Sequence, residues 1–354
     1  MHKLLALVFA GAATLAAADK IVGGPMVVNP TPRTATVVWI VQSDELTVQP
    51  PAGPARKSPS LRVEQTTLTG LQPNTRYEYN ASGQDAGKGS FKTPPTGNEP
   101  YRFVVYGDNR TRHDVHRQVI DTLVKTGFPD FVVQTGDMVE NGLDNSLWPI
   151  FFDIEKELLR HTVIFPSLGN HERNAHDFFE FFQATSPYYS FNWGNGHFIF
   201  LNSDIGNAAL TARQRDAFWA EQVRWLEEDL QNSQSSDYRF IVAHHPPFTA
   251  VSNRQGNNPH MTALVPMFEK YHVSAAFFGH DHNYQHYLKN GIPYLVSGGG
   301  GAPLYDVDKP PADITKKVVK IENFLTVSVQ GKKAHIEAIA IDGKKIDEMD
   351  LEAK

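Results

Sequence analysis

Five short polar motifs between residues 107 and 282 carry the side chains best suited to chemistry. They are Gly107-Asp108-Asn109-Arg110, Gly136-Asp137, Gly169-Asn170-His171-Glu172, His244-His245-Pro246 and Gly279-His280-Asp281-His282. Carboxylate, amide and imidazole groups bind Mn, Fe or Zn where thiolates are absent, and the chain has no cysteine. A single Gly-Asp or Gly-His pair is typical of a turn, but five such motifs together indicate a shared metal site.

Each motif follows a run of apolar residues that predicts a buried strand. Phe103-Val104-Val105-Tyr106 precedes the first motif, and Phe131-Val132-Val133 precedes the second. Amphipathic patterns between the runs predict helices at about residues 114–126, 146–159, 211–231 and 262–271. Alternating strands and helices favour a mainly parallel sheet, in which ligands gather at the carboxyl ends of the strands. The five motifs are therefore expected to meet at one edge of the sheet.

The last motif contains two histidines that could bind different ions, because His280 and His282 stand two residues apart in an extended segment. Two ions roughly 3.5–4 Å apart can hold both the attacking and the leaving oxygen of a phosphoryl group. The motifs thus predict phosphate chemistry at a pair of metal ions.

The order Asp, Gly-Asp-x4-Gly, Gly-Asn-His-Glu, His-x-Pro, Gly-His-x-His resembles the calcineurin-like metallophosphoesterase superfamily. The β-rich stretch before these motifs makes the chain similar to the purple acid phosphatase branch, and the resemblance covers most of the chain from Ile21. It implies an α/β fold, a four-layer α/β/β/α sandwich preceded by a small all-β sandwich domain. It also implies two divalent or mixed-valence metal ions of Fe, Mn or Zn.

Carried onto this chain residue by residue, the resemblance implies a set of metal ligands. Asp137 would bridge both ions. The other ligands would divide between them, with Asp108 and His282 on one ion and Asn170, His244 and His280 on the other. The implied ligand of the fourth motif is His244 rather than His245, because the family ligand stands two residues before Pro.

The resemblance also implies roles in catalysis. His171 would protonate the leaving group or donate to the transition state, while Asn170 and Arg110 would help to bind the phosphate. His245 would support the ligands or contact the substrate. The implied reaction is hydrolysis of a phosphate ester by attack of a metal-bound hydroxide.

Two positions depart from the family pattern. Arg110 stands where most members have His, two residues after the first Asp, and Glu140 stands where purple acid phosphatases have Tyr. Without that Tyr the protein is not expected to be purple, and one ion is short of a ligand. Candidates for this ligand are His116, Glu140 and His113, although His116 could equally be a solvent-facing helix residue. Arg110 cannot bind a metal but suits a phosphate, and the alternative for it is a surface salt bridge.

Three segments are predicted along the chain. Residues 1–18, which have an apolar run too short to span a bilayer and end in three alanines, are predicted to be a signal peptide. Residues 19–97 predict a fibronectin type III-like β-sandwich, because Leu71-x-Pro-x-Thr-x-Tyr77 resembles a tyrosine corner. Residues 98–354 would form the catalytic domain, and its β-rich end, Val318 to Leu351, is expected to complete a second sheet.

Composition narrows the function further. The net charge of -6 and the pI near 6.2 argue against nucleic acid as a partner, because a negatively charged protein does not attract a polyanion. Because residues 1–18 are predicted to be a signal peptide, a periplasmic or secreted protein is expected, and no membrane anchor is expected. The predicted function is an exported, acid phosphatase-like hydrolase of small phosphate esters, favouring monoesters. Alternatives are a phosphodiesterase or nucleotide hydrolase of the same fold, and a degenerate, non-catalytic exported binding protein. The oligomeric state is left open.

Overall fold

The computed structural model describes residues 5–9, 19–49, 54–81, 87–209 and 211–353. The strands before the first helix are β1 (Leu5–Phe9), β2 (Lys20–Val28), β3 (Ala35–Val48), β4 (Arg56–Leu68), β5 (Arg76–Ala81), β6 (Lys88–Lys92) and β7 (Tyr101–Tyr106). The later strands are β8 (Phe131–Gln134), β9 (Val163–Pro166), β10 (Tyr189–Trp193), β11 (Gly196–Leu201), β12 (Tyr238–Ala243), β13 (Ala275–Phe278), β14 (Tyr284–Lys289), β15 (Ile292–Ser297), β16 (Thr315–Val319), β17 (Asn323–Gln330), β18 (Lys333–Ala340) and β19 (Lys345–Glu352).

The helices are α1 (His113–Lys125), α2 (Trp148–Leu159), α3 (His176–Phe181), α4 (Ile205–Ala208), α5 (Ala212–Asn232), α6 (Pro259–Thr262) and α7 (Val265–Lys270). Three of the four predicted helices agree with α1, α2 and α5 within two residues. The fourth is divided into α6 and α7, because Pro266 lacks the N–H that a continuous helix needs and instead stands in the first turn of α7, which begins at Val265. Within the described residues, no helix has the length and apolar character needed to cross a membrane.

The strands form two large sheets and one small one. The order in the first is β19-β18-β17-β7-β8-β9-β2-β3-β4, in the second β10-β11-β12-β13-β15-β14-β16, and in the third β1-β5-β6. In the first sheet the neighbours in β7-β8-β9-β2 are parallel, and in the second sheet those in β11-β12-β13-β15 are parallel. All other neighbouring strands of these two sheets are antiparallel. The expectation of a mainly parallel sheet is therefore wrong outside these central strands, because the edges are built from hairpins.

The two large sheets pack face to face through an aromatic core. Phe103 and Phe131 of the first sheet stack with ring centroids 5.0 Å apart, and Phe198 of the second sheet meets Phe103 edge-on at 5.2 Å. Strand side chains alternate between faces, so Val104 and Val132 point the other way, into the layer formed by α1 and α2. Helices α5 and α7 cover the outer face of the second sheet. The predicted four-layer α/β/β/α sandwich is confirmed.

The chain end lies in the first sheet rather than in the second. β17 pairs antiparallel with β7, with Leu325 opposite Val105, and β18 and β19 extend the sheet from there. Leu325 and Val327 then join the core between the sheets. The expectation that this segment completes the second sheet is wrong, because the free edge of β7 offers it a partner in the first.

The β-rich segment at the start of the chain joins the same architecture. β2 pairs with β9 at Val27 and Val163, and so continues the first sheet into β3 and β4. The expected tyrosine-corner hydrogen bond is present, since the Gln72 N–H donates to the Tyr77 hydroxyl at 2.8 Å. The fibronectin type III-like assignment and the limits of the three segments stay predictions. Of the predicted signal peptide, only β1 is described, and the rest of it lies outside the described residues.

Candidate metal centre

The five motifs meet where five strands end. Asp108, Asp137 and Asn170 follow the parallel neighbours β7, β8 and β9, so the pairing of these strands brings them to one edge of the first sheet. His244 and His280 follow β12 and β13, which are parallel neighbours in the second sheet. Because the two sheets face each other, both sets of strand ends open onto the same place.

Three candidate ligand atoms lie close to one ring nitrogen, which is itself a candidate ligand. Nε2 of His244 lies 3.2 Å from the amide oxygen of Asn170 and 3.2 Å from Nδ1 of His280. Oδ1 of Asp137 lies 3.4 Å from the same nitrogen. Ligands about 2.0–2.2 Å from a tetrahedrally bound ion stand roughly 3.3–3.6 Å apart, so these spacings fit a metal ion in their midst.

A second group of ligand atoms lies beside the first. Oδ1 of Asp108 is 3.5 Å from Nε2 of His282, and ligand atoms of Asp108, Asp137 and His244 lie within 4.8 Å of one another. Oδ1 of Asp108 is buried and has no hydrogen-bond partner among the described residues. A buried, unpartnered carboxylate oxygen is costly, and a bound cation would satisfy it. The residues present therefore fit metal ions.

The loops that carry these ligands adopt a left-handed backbone. Asp108, Asp137 and His280 have φ values of 58°, 57° and 68°, in a region that residues other than glycine rarely occupy. At Gly169 a side chain would run into the Asp137 carboxylate and the Glu172 side chain. Strained backbone and close approach together indicate that packing holds the ligand loops in one arrangement.

The carboxylate of Glu172 ties two ligand loops together. It accepts hydrogen bonds from the backbone N–H groups of Asp137 at 2.8 Å, Met138 at 2.7 Å and Gly169 at 2.7 Å. Burial, assisted by the charge of Asp137, raises the pKa of Glu172 to about 7. Glu172 was recognised as part of a motif, but no role was predicted for it. The structure places it behind the centre, where it fixes the loop positions.

Hydrogen bonds on the far ring nitrogens orient the imidazoles. Nδ1 of His244 donates to the Thr135 carbonyl at 2.8 Å, and Nδ1 of His282 donates to the Pro303 carbonyl at 2.7 Å. Each bond leaves Nε2 directed at a carboxylate of the centre, as is usual for metal-binding histidines.

The buried charges at the centre depend on one another. Burial alone would lower the pKa of His244, but the Asp137 carboxylate raises it to about 10. Burial would raise the pKa of Asp137, yet the charges of His244 and His171 hold it well below its usual range. In the metal-free chain the His244 ring is therefore positively charged, with protons on both nitrogens, and an incoming cation would displace the proton on Nε2.

The predicted proton donor, His171, lies at the rim of the centre. Its backbone N–H donates to Oδ1 of Asp137 at 2.9 Å, and its Nδ1 donates to the Glu140 carbonyl at 2.6 Å. Its Nε2 then faces Oδ2 of Asp137 at 3.9 Å, and 22% of the side chain is exposed. This position leaves the ring open to a bound molecule.

His245 lies behind the ligands. Its Nδ1 is 3.0 Å from the Ser203 hydroxyl, and its ring centroid is 4.2 Å from that of His280. Burial, with the neighbouring charge of His244, lowers its pKa well below the usual value. His245 is therefore a neutral ring packed against a predicted ligand. Its predicted role as support or as substrate contact stays a prediction.

Arg110 and Glu140, the two residues that differ from the family pattern, form a salt bridge with each other. Arg110 donates from Nη1 to the Glu140 carboxylate, and its Nε lies 3.6 Å from Oδ2 of Asp137. Only 12% of the Arg110 side chain is exposed, against 48% for Glu140. Arg110 therefore does form a salt bridge, as one prediction had it, but its guanidinium lies against the centre rather than out at the surface.

His116 lies neither in solvent nor among the ligands. It is 1% exposed, and its Nε2 is 2.7 Å from the buried carboxylate of Glu155 and 3.1 Å from the Asn109 amide. The expectation of a solvent-facing residue is wrong, and its ring does not join the cluster as an extra ligand. The helical spacing of His116 with Val119, Ile120 and Leu123, all buried on α1, could have shown that it faces the protein interior.

Two further residues at the centre were missed by sequence reasoning. The ring of Tyr305 stacks on His282 with centroids 4.2 Å apart, and the Arg254 guanidinium lies 4.5 Å from the Tyr305 ring centroid. Arg254 also donates from Nη1 to the His280 carbonyl at 2.9 Å. Neither residue belongs to one of the five motifs: Arg254 ends a short 3-10 helix between the fourth and fifth motifs, and Tyr305 follows the fifth.

Comparison with known proteins adds to this picture. The family model described as Calcineurin-like phosphoesterase matches residues 101–284, which include all five motifs. An uncharacterised protein of Mycobacterium tuberculosis is 27% identical over 280 residues, 65% of this chain and 52% of that protein. The chain thus spans about half the length of the first curated relatives that it matches. Acid phosphatase type 7 of Mus musculus is 23% identical over 296 residues, 76% of this chain and 67% of that protein.

Solved structures share the fold. The purple acid phosphatase PPD1 from yellow lupin (Lupinus luteus) seeds superposes with a TM-score of 0.71 at 17% identity, covering 93% of this chain and 74% of that one. The structure of PhoD gives a TM-score of 0.65 at 11% identity, covering 95% and 94%. At these identities the likeness concerns the fold alone.

Proposed function

Because the chain belongs to the calcineurin-like phosphoesterase family, we propose that it hydrolyses phosphate esters with metal ions held by the five motifs. The observation that carries this proposal is the convergence of ligand atoms on Nε2 of His244, with three of them within 3.4 Å. The unpartnered oxygen of Asp108 beside them supports a second position for an ion.

Fe, Mn or Zn ions bound there would supply Lewis acidity and lower the pKa of water at the site. Asn170, His244 and His280 would hold one ion, Asp108 and His282 the other, and Asp137 would be shared. Asp137 suits that role because its carboxylate lies between the two groups, with ligand atoms of Asp108, Asp137 and His244 within 4.8 Å of one another.

Other side chains of the centre would act on the substrate directly. Nε2 of His171 would give a proton to the departing alkoxide, since Nδ1 is held by the Glu140 carbonyl and the ring lies at the rim. Arg110 would bind a phosphate oxygen through its planar guanidinium. Asn170 would help both an ion and the phosphate into position.

The substrate we propose is a small phosphate monoester. A monoester presents more negative charge than a diester, which suits the Arg110 guanidinium held beside the centre. The signal-like residues 1–18 support action in the periplasm or outside the cell. No nucleic acid partner is proposed, on the grounds of the net charge of -6.

The test is hydrolysis of p-nitrophenyl phosphate by the wild type and by Asp137→Asn. We expect Asp137→Asn to abolish the reaction, because it removes the shared charge of the centre. Asp153→Asn is the matched control, since Asp153 is 65% exposed on α2. This substitution should leave the rate of hydrolysis unchanged. Equal hydrolysis by the wild type and Asp137→Asn would refute a hydrolase that works through this centre, whereas no hydrolysis in any of the three proteins would favour the degenerate binding protein.

The same assay with bis(p-nitrophenyl) phosphate decides the substrate class. A higher kcat/KM for the monoester supports the proposal. The reverse order would favour the phosphodiesterase alternative without affecting the metal centre.

A further inference from the structure

The two groups of ligand atoms are unequal. The first offers four donors, from Asp137, Asn170, His244 and His280, which meet around Nε2 of His244. In the division of ligands proposed above, the second has three, from Asp108, His282 and the shared Asp137. Oδ1 of Asp108 lies 3.5 Å from Nε2 of His282, and ligand atoms of Asp108 and Asp137 lie within 4.8 Å of each other. Four protein ligands complete a tetrahedral site, whereas three leave a position to be filled from outside.

Arg110 places a positive charge beside the group with three donors. Its Nε lies 3.6 Å from Oδ2 of Asp137, the oxygen turned away from the four-donor group, and is buried without a hydrogen-bond partner among the described residues. A guanidinium is protonated at every pH at which a protein functions. Asp137 therefore has a permanent cation beside the oxygen that a second metal ion would need.

Glu140 holds Arg110 in this position. The pair forms a salt bridge through Nη1 of Arg110, and Arg110 is 12% exposed while Glu140 is 48% exposed. Because Glu140 is half in water, its negative charge is screened and offsets the guanidinium only in part. The guanidinium therefore weakens the attraction that the Asp137 carboxylate exerts on a cation approaching from this side.

We propose that Arg110, held by Glu140, makes the two metal subsites unequal. One ion binds tightly to Asp137, Asn170, His244 and His280. The subsite formed by Asp108 and His282 binds its ion weakly, and the guanidinium supplies part of the positive charge there. This proposal rests on the metal-dependent function proposed above and specifies how its ions are held.

The chemistry of phosphate binding follows from this arrangement. A phosphate that bridges the centre would meet one tightly held ion on one side and the Arg110 guanidinium on the other. A planar guanidinium recognises phosphate oxygens in a bidentate manner. Occupancy of the weaker subsite, unlike that of the first, would then depend on the metal concentration around the protein.

The test is a titration of the metal-stripped protein with Zn²⁺, followed by isothermal calorimetry and by elemental analysis after dialysis. For the wild type we expect one tight ion per chain and a second at least about tenfold weaker, the scale by which groups next to metal ligands change affinity. In Arg110→Gln the second ion should bind about tenfold or more tightly than in the wild type, while the first changes little.

The matched control is Arg117→Gln. Arg117 lies on α1, seven positions after Arg110, but is 51% exposed and pairs with Asp153. The substitution Arg117→Gln removes the same charge as Arg110→Gln and should leave the affinities for both Zn²⁺ ions as in the wild type. A shift of equal size in Arg117→Gln would mean that net charge, not the position of Arg110, sets the difference.

The possible outcomes separate this inference from the proposed function. Two ions of equal affinity in the wild type would overturn the inference but leave metal-dependent hydrolysis intact. An unchanged second affinity in Arg110→Gln would overturn the role of Arg110. Failure of the wild type to bind any ion would overturn both proposals. Since the first and last outcomes concern the wild type, they hold even if a variant fails to fold.

Discussion

Glu172 offers the sharpest test of how the ligand loops are held. In Glu172→Gln the side chain keeps its size, but one of the two acceptor oxygens becomes an NH₂ group. Oε2 of Glu172 serves the backbone N–H groups of Asp137 and Gly169, and Oε1 serves that of Met138. If the amide oxygen of Gln takes the position with two donors, one buried N–H loses its acceptor.

A buried donor without a partner costs about 1–3 kcal/mol. We therefore expect Glu172→Gln to lower the free energy of unfolding of the metal-free protein by about 1–3 kcal/mol, measured by urea denaturation. Looser ligand loops should also weaken binding of the tighter ion by about tenfold.

The matched control for this variant is Glu180→Gln, which makes the same change at a side chain that is 48% exposed on α3. It should alter neither the free energy of unfolding nor the metal affinity. The reasoning would be refuted if Glu172→Gln unfolded at the same urea concentration as the wild type and bound Zn²⁺ with the same affinity.

Two further predictions concern other parts of the molecule. Tyr77→Phe removes the acceptor of the Gln72 N–H and should cost about 0.5–1.5 kcal/mol of stability by urea denaturation, because Gln72 is exposed and water can replace the lost partner; an unchanged midpoint would show that the hydrogen bond does not stabilise the fold. His171→Asn should lower kcat by about 100-fold for an alkyl phosphate, whose leaving group needs a proton, and by much less for p-nitrophenyl phosphate, whose leaving group does not. Equal losses on both substrates would argue against His171 as the proton donor.

The ligand motifs could be found from the sequence because each signal is local. An apolar run followed by a glycine and a polar side chain marks the end of a buried strand, as at Tyr106 before Gly107-Asp108 and at Ala243 before His244. Parallel neighbours bring such ends together within one sheet. The pattern therefore accounts for Asp108, Asp137 and Asn170 in the first sheet and for His244 and His280 in the second, whereas the meeting of the two sets depends on how the sheets pack.

Other features depend on contacts between distant residues and left no local signal. β17 pairs with β7 across more than 200 positions of sequence, so the sheet it joins could not be read from its own alternation. Tyr305 stacks on His282 and Arg254 lies over the Tyr305 ring, through segments whose paths depend on the finished fold. For His116 the signal was present in the spacing along α1, and Glu155 on α2 explains why a polar ring is buried there.

The central claim, hydrolysis of a phosphate ester at metal ions held by these five motifs, is tested most directly by removing and restoring the metal. The rate of p-nitrophenyl phosphate hydrolysis is measured on the purified protein, after stripping with a chelator, and again after adding Zn²⁺, Mn²⁺ or Fe²⁺. We predict that stripping abolishes hydrolysis and that at least one of these ions restores it. Equal rates before stripping, after stripping and after metal addition would contradict the account.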